Sequence, residues 1–279
     1  MQKFFEIFGL NHLRPAVLAI KHAVFPNRCL ACGSLFHVRA PTKEKVFSDD
    51  MAYMFERLMA PFLCSTCSFG FQTIKPPLCP WCGIMFKSRQ GEDHPCGECT
   101  TSPKSFRIAR SAGIYDKGLM HAIHCFKYKE KIQLARPLGM ILFSSFAGHW
   151  DTNGIDAIVP VPLHHRKLKI RGFNPSLLMV RGWKLLASTR PVNLPNPPIV
   201  RDVLVKIKWT MPQTGLARKK RIQNVKNSFA VRNSSKVKGK RFLLVDDVYT
   251  TGATTNECAK VLLKSGARYV DVLTLARTV

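Results

Sequence analysis

Apolar residues follow two rhythms along the 279-residue chain. In the C-terminal half, short continuous runs stop abruptly at turn-forming residues. Asp156–His164, Ile199–Val205, Phe242–Val245 and Tyr269–Leu275 read as strands, and Arg107–Tyr115 as an earlier one. Between them the spacing changes to three and four. Met120, Ile123 and Phe126 mark one helix, Leu134–Phe146 a second, and Leu177–Leu186 a third, opened by Asn174 as cap and Pro175 at the first helical position. Cys258, Val261 and Leu262 share a face of the last helix, with Thr254 and Glu257 at capping-box spacing before it and Gly266 as its stop. Strands alternating with helices predict an α/β fold: a parallel sheet flanked by helices, with its site at the strands' carboxyl ends. Pro191–Pro198 is extended, and residues 206–228 are basic without a clear period.

The N-terminal third has a different texture. Phe4, Phe5, Ile7 and Phe8, then Val17, Leu18, Ile20 and Val24, give residues 1–28 the stripe of an amphipathic helix. Docking onto the rest of the protein is its first reading, a membrane-surface anchor its second. Eight of ten cysteines follow as four Cys-x-x-Cys pairs: Cys29/Cys32, Cys64/Cys67, Cys79/Cys82 and Cys96/Cys99. A two-residue gap lets both thiolates of one turn reach a tetrahedral Zn²⁺, and two turns close a Cys₄ site. Gly33 and Gly83 suit sharp knuckles after the first and third pairs. The second and fourth lack that glycine, so sequential pairing is expected: first with second, third with fourth. Residues 29–103 thus read as a double zinc ribbon with two closed, structural sites. A long insertion at about 33–63 includes a helix near Asp49–Met59, capped by Asp49 or Ser48. Disulfides and a redox dithiol are the competing readings; neither suits four pairs in a chain without a recognisable secretion signal. His37 and His94 are read as surface residues, and Cys125 and Cys258 as small core residues.

Composition sharpens the reading. Hydrophobic residues make up 46%, enough for a real core, and no run reaches the length of a membrane span. A cytoplasmic protein is the default. The net charge of +26 is unevenly spread. Between Leu163 and Arg241 stand 20 Lys or Arg against one acid, Asp202, a local +19. Such a field attracts polyanions, single-stranded DNA among them; a solvated basic face is the alternative.

The chemistry concentrates where the strand Phe242–Val245 meets Asp246 and Asp247, followed by Thr250, Thr251, Gly252, Ala253 and Thr254. A strand, a small-residue loop and a helix N-terminus make an anion cradle, with threonine hydroxyls as further donors. Two carboxylates beside such a cradle would repel a bare phosphate. They suit a ligand that carries sugar hydroxyls next to its phosphate. An ordinary βα turn holding Asp and Thr is the bland alternative.

This stretch resembles the phosphoribosyl pyrophosphate (PRPP) signature of type I phosphoribosyltransferases: four apolar residues, two acidic ones, then Thr-Thr-Gly-x-Thr. The resemblance implies that Asp246 and Asp247 bind the ribose hydroxyls of PRPP and that Thr250–Thr254 bind its 5′-phosphate. It further implies that the turn holding Pro162, Leu163, His164 and Arg166, and a mobile loop holding Arg218, Lys219, Lys220 and Arg221, cover the pyrophosphate, with Mg²⁺ carried mainly by the ligand. A solvated or nucleic-acid-contacting run is the other reading of Arg218–Arg221.

In its order of parts the chain is similar to the ComF family, related to competence proteins and to GntX. The four cysteine pairs carry the match, with Pro160–His164, Arg171–Asn174, Thr210–Gly215, Arg221, Asn224 and Val245–Thr254. The likeness runs from about Pro26 to Arg277. It departs at the insertion of the first ribbon and at Pro175, where the family usually has Gln. It implies a type I phosphoribosyltransferase fold over residues 104–279 behind the ribbons. It also implies a role linked to DNA uptake, through PRPP chemistry on an unknown acceptor or through non-catalytic binding of single-stranded DNA by the ribbons and the basic face.

Overall fold

A computed structural model describes residues 26–37, 48, 50–88, 90–150, 154–188, 197–210 and 217–279, with the backbone alone at 218 and 219. The expected N-terminal amphipathic helix, nearly all of the extended Pro191–Pro198 segment and the loop 211–216 lie outside the described residues.

The first cysteine knuckle is flanked by a two-residue ladder, β1 (Asn27–Arg28) with β2 (Leu35–Phe36). The inserted helix is α1 (Met51–Met59). Its cap is Asp50, neither Asp49 nor Ser48: Asp50 Oδ1 accepts from Ala52 N at 2.8 Å, while Ser48 Oγ accepts from Asp50 N. A carboxylate one residue closer to the first turn reaches its orphan N–H groups better. Two short turns, α2 (Ser65–Ser68) and α3 (Gly97–Thr101), start at Cys64 and Cys96.

From there the chain builds the sheet. β3 (Ala109–Ile114) leads to α4 (Lys117–Tyr128) and α5 (Ala135–His149), and β4 (Ala157–Pro160) to α6 (His165–Arg171) and α7 (Pro175–Val180). Asn174 caps α7 as expected, but the helix stops at Val180 and resumes as α8 (Trp183–Ser188). The break falls at Arg181-Gly182, where glycine weakens the helix. It lets Trp183 turn inward, stacked on Phe146 at 5.1 Å, with its indole N–H on Gly139 O at 3.1 Å. The strand expected over Ile199–Val205 is reduced. Ile199 makes one bridge to Ile158, Asp202 is drawn off to Lys236 at 2.7 Å, and only β5 (Leu204–Lys206) pairs, antiparallel, with β6 (Phe229–Val231). Within the basic stretch lies a helix, α9 (Arg218–Val225). It has almost no apolar stripe, so periodicity did not announce it. β7 (Arg241–Tyr249), α10 (Ala253–Lys264) and β8 (Tyr269–Arg277) complete the chain.

The main sheet is parallel, ordered β3-β8-β7-β4. Successive residues of its central strands point to opposite, equally dry sides. Leu243, Val245, Leu273 and Leu275 face a core built on α1, α4, α5, α7 and α8. Phe242, Leu244, Val270 and Val272 face a second core with α10, β6 and the Cys79 cluster. The continuous apolar runs thus follow from burial on both faces. Phe55, Phe126, Phe143 and Phe146 are fully buried, and each truncation to Ala would cost about 3–5 kcal/mol. Irregular chain covers both sheet edges. Outside β3, Thr73 bridges Gly113 and Ile114 N donates to Gln72 O at 2.9 Å; outside β4, Ile158 N donates to Pro198 O at 2.9 Å.

Candidate functional site

β7 does not end before the acidic pair. It continues in register with β8 through Asp246 to Tyr249, so both carboxylates are displayed from the sheet itself. This corrects the strand end expected at Val245, and it fixes the pair more rigidly than a loop would. Asp246 Oδ1 accepts from Ser176 Oγ at 3.1 Å and from Asp247 N at 2.9 Å. Ser176 is held in turn by its N–H on Asn174 Oδ1 at 3.0 Å, and Asn174 Nδ2 donates to Val161 O at 3.0 Å. Lys127, at the end of α4, meets Asp247 Oδ1 at 2.8 Å, both side chains less than one-fifth exposed.

The electrostatics follow from that crowding. Burial, then the charge of Asp247, pushes the Asp246 carboxyl up to about 7, against the pull of Lys127. Burial opposes the Lys127 charge, but the Asp247 carboxylate outweighs it and holds the ammonium pKa above its ordinary value. Lys167 and Lys206 stand within electrostatic reach of Asp246. Burial lowers both, and so do like charges, Arg171 for Lys167 and Lys167 for Lys206. Two carboxylates are therefore ringed by three lysines, an arrangement suited to a ligand with hydroxyls for the acids and anionic groups for the bases.

Behind the pair, Thr250 and Thr251 lead to Gly252, which adopts φ +69° and caps α10. A Cβ there would lie 2.2 Å from Tyr249 Oη, so glycine is required both by conformation and by space. Ala253 N donates to Thr251 Oγ1 at 3.4 Å, and Thr255 Oγ1 to Gly252 O at 3.1 Å. The N-terminus of α10 thus follows the carboxylates after five residues, the order of parts an anion cradle needs. Thr254, expected as the cap, lies inside the first turn of α10, which starts at Ala253 behind Gly252. Glu257 Oε1 instead accepts from Asn227 N at 2.7 Å and ties the segment after α9 to α10, a tertiary partner displacing the local one.

Among the other expected residues, Pro162 and Leu163 follow β4 at the same end of the sheet, partly buried, and Arg166 is exposed. His164 is buried: its Nδ1 accepts from Arg166 N as the cap of α6, and its ring meets Trp209 edge-on at 5.5 Å. Burial, then the charges of His165 and Arg166, lowers its pKa. Arg218–Arg221 form the first turn of α9, Lys220 exposed and Arg221 partly buried. Sequence reasoning missed Ser176, Lys127 and Lys206 as site residues; their spacing in the chain carries no signal that they converge.

The eight paired cysteines form two clusters, Cys29/Cys32/Cys64/Cys67 and Cys79/Cys82/Cys96/Cys99, each with its sulfurs within 4.8 Å of one another. Sequential pairing is thus what the fold produces. Cys32 and Cys64 sulfurs lie 3.8 Å apart, Cys82 and Cys96 sulfurs 3.7 Å. A tetrahedral zinc with ~2.3 Å bonds sets its sulfurs about 3.8 Å apart, so both donor sets fit that ion. Gly33 and Gly83 take φ +80° and +69°, and their N–H groups donate to Cys29 O and Cys79 O at 2.8 Å. The exposure expected of His37 and His94 and the burial expected of Cys125 and Cys258 are found. Arg277, buried at the end of β8, donates to Cys82 O and lies 4.8 Å from the Tyr249 ring, linking the second cluster to the Gly252 loop.

Fold and site together define a phosphoribosyltransferase-type domain behind paired cysteine ribbons, and residues 198–278 match the family model for the phosphoribosyl transferase domain. Similarity to curated proteins extends further. Competence protein F of Haemophilus influenzae is 32% identical over 219 residues, covering 77% of this chain and 90% of that protein. DNA utilization protein YhgH of Escherichia coli K12 is 32% identical over 220 residues with the same coverage, and competence protein ComFC of Bacillus subtilis is 24% identical over 261 residues, 90% of this chain and 95% of that one. The chain belongs to the competence protein F (ComF) family.

Proposed function

We propose that this protein binds PRPP at the carboxyl end of β7. Asp246 and Asp247 take the ribose hydroxyls, and Thr250, Thr251, Gly252, Ala253 and Thr254 take the 5′-phosphate. Pro162, Leu163, His164 and Arg166, with Arg218, Lys219, Lys220 and Arg221, surround the pyrophosphate, joined by Lys167. The observation that supports this reading is the carboxylate pair held at the end of β7, followed by the left-handed Gly252 that caps α10. Loss of pyrophosphate from C1 of the ribose would leave a centre that an acceptor could trap, and the surrounding cations would stabilise the leaving charge.

Magnesium fits this site as the ligand's companion. Among the described residues no group of three acidic or histidine side chains gathers here, so the ion would be held chiefly by ligand oxygens, with Asp246 or Asp247 as the available protein contact. Zinc in each cysteine cluster would act as a cross-link, with all four positions filled by thiolate. In domain terms, residues 29–103 are the double ribbon and 104–279 the transferase unit. Among the described residues no helix is long and apolar enough to cross a membrane; the reading places the protein in the cytoplasm, with a part in DNA uptake as the names of its relatives suggest.

Calorimetry with PRPP and Mg²⁺ tests the proposal. Binding that disappears in the Asp246→Asn/Asp247→Asn protein supports it, and wild type that releases no heat sinks it. A second reading, single-stranded DNA binding, has its own observation: a cavity of about 340 Å³ beside the first knuckle, lined by Arg28, Lys129 and Lys131. It predicts affinity that falls steeply with salt, and a flat salt profile excludes it.

A further inference from the structure

Past the outer edge of β4 lies a half-open cavity of about 650 Å³, bordered by α6, α7 and β5. Its volume is mid-range for a small-molecule pocket. The walls are mainly apolar, with Leu163, Leu168, Phe173, Leu177, Leu204 and Ile207 among them. Three cations complete the lining, Arg201, Lys206 and Arg232, and no acidic residue joins them among the described residues. Neither arginine is paired with a carboxylate among the described residues, and the nearby Asp202 is taken by Lys236. Lys206 Nζ donates to the neutral hydroxyl of Thr210 at 2.8 Å.

These features decide the ligand class. Inorganic phosphate would leave the leucine and phenylalanine walls bare, and a neutral hydrocarbon would make no use of the two arginines and the lysine along the rim. Position decides its role. Pro160 pairs with Val245, so the cavity begins one residue short of Asp246 across the sheet. Asn174 and Leu177, which line it, flank Ser176, whose hydroxyl is on Asp246.

We propose that this cavity binds an organic anion, a ring-sized apolar body bearing a carboxylate, as the co-substrate that meets the sugar held by Asp246 and Asp247. The role as co-substrate rests on the ribose reading of those aspartates; the binding of the anion does not. The apolar body lies against Leu204 and Phe173, and the carboxylate faces Arg201, Arg232 and Lys206.

Titration calorimetry of the full chain with 2-naphthoate and with its neutral isostere 2-naphthamide reads both parts. The expected result is naphthoate binding about tenfold tighter than naphthamide, the worth of one charge-assisted contact. In the Arg201→Gln/Arg232→Gln protein that preference disappears; both residues are exposed, so the fold should survive, and an unchanged circular dichroism spectrum verifies it. In the Asp246→Asn/Asp247→Asn protein naphthoate binding persists, no weaker than in the wild type; its loss there overturns the proposal of a separate anion site. Equal affinity for the two probes, no binding of either at millimolar concentration, or an unaltered preference in the arginine variant overturns the proposal. Naphthoate binding as expected alongside silent PRPP titrations would instead refute the ribose reading and leave the anion site standing.

Discussion

Replacing Asp246 by Asn should make the free protein more stable and, on the proposed reading, weaken its hold on a ribose. The carboxyl titrates at about 7 in the folded protein against 3.8 for an ordinary aspartate, because burial and the Asp247 charge disfavour its ionised form. The folded state therefore binds this proton more tightly than the unfolded chain. Its ionisation weakens folding progressively as pH rises from about 4 to about 7, and the cost is constant above that. At 1.36 kcal/mol per pH unit the ceiling is about 2 kcal/mol at pH 5.5 and about 4 kcal/mol at pH 8. Asparagine carries no charge and keeps an oxygen for Ser176 Oγ and Asp247 N. Urea unfolding followed by tryptophan fluorescence should show Asp246→Asn more stable than wild type, with the gap at pH 8 about twice that at pH 5.5. A variant less stable than wild type at pH 8, or a gap that shrinks between those pH values, would refute the account of a strained carboxylate kept for binding.

Three further outcomes test other parts of the structure. Gly172→Ala, at φ +76° with nothing within 4 Å of the new Cβ, should cost about 1 kcal/mol for backbone conformation alone, whereas Gly252→Ala adds a collision with Tyr249 and should cost clearly more in the same unfolding assay. Elemental analysis should find two zinc ions per chain; Cys79→Ser should hold one and melt at a lower temperature, and an unaltered metal count in that variant would contradict the cluster assignment. Asp156, bonded by Arg241, is held down to about 2, so its contribution is present above pH 3.8 and fades as pH falls toward 2. Asp156→Asn should be less stable than wild type at pH 6 by about 1 kcal/mol, a figure reduced for solvent screening, with the difference narrowing on acidification.

What the chain revealed in advance was whatever is encoded by neighbours in sequence. The run from Phe242 through Thr254 carries strand, acids and loop in one continuous segment, and each Cys-x-x-Cys turn is its own local signal. What it withheld depends on meetings across the fold. Lys127 was visible only as part of a basic cluster at a helix end; its partner Asp247 lies 120 residues later and touches it because α4 packs over the sheet. Ser176 reads as the second residue of a helix, not as a donor to Asp246. Glu257 fitted a capping pattern but found Asn227, since a buried carboxylate takes the best donor in space, not the nearest in sequence. The helix Arg218–Val225 escaped notice because one dominated by charge lacks the apolar stripe by which helices are read.

The covered margins of the sheet have a practical consequence for anyone dissecting this protein. The strip from Gln72 to Trp81 lies along β3: Ile114 N donates to Gln72 O, and Ala109 N donates to Trp81 O at 2.7 Å. Cutting the chain near residue 104 would peel that strip away and leave a bare row of peptide groups, an invitation for a second molecule to zip alongside. It would also remove Phe71, stacked at 4.7 Å on Phe55, from the core beneath. The cysteine-rich portion thus doubles as a selvedge for the sheet, and the sheet-bearing fragment expressed without it should emerge as aggregate.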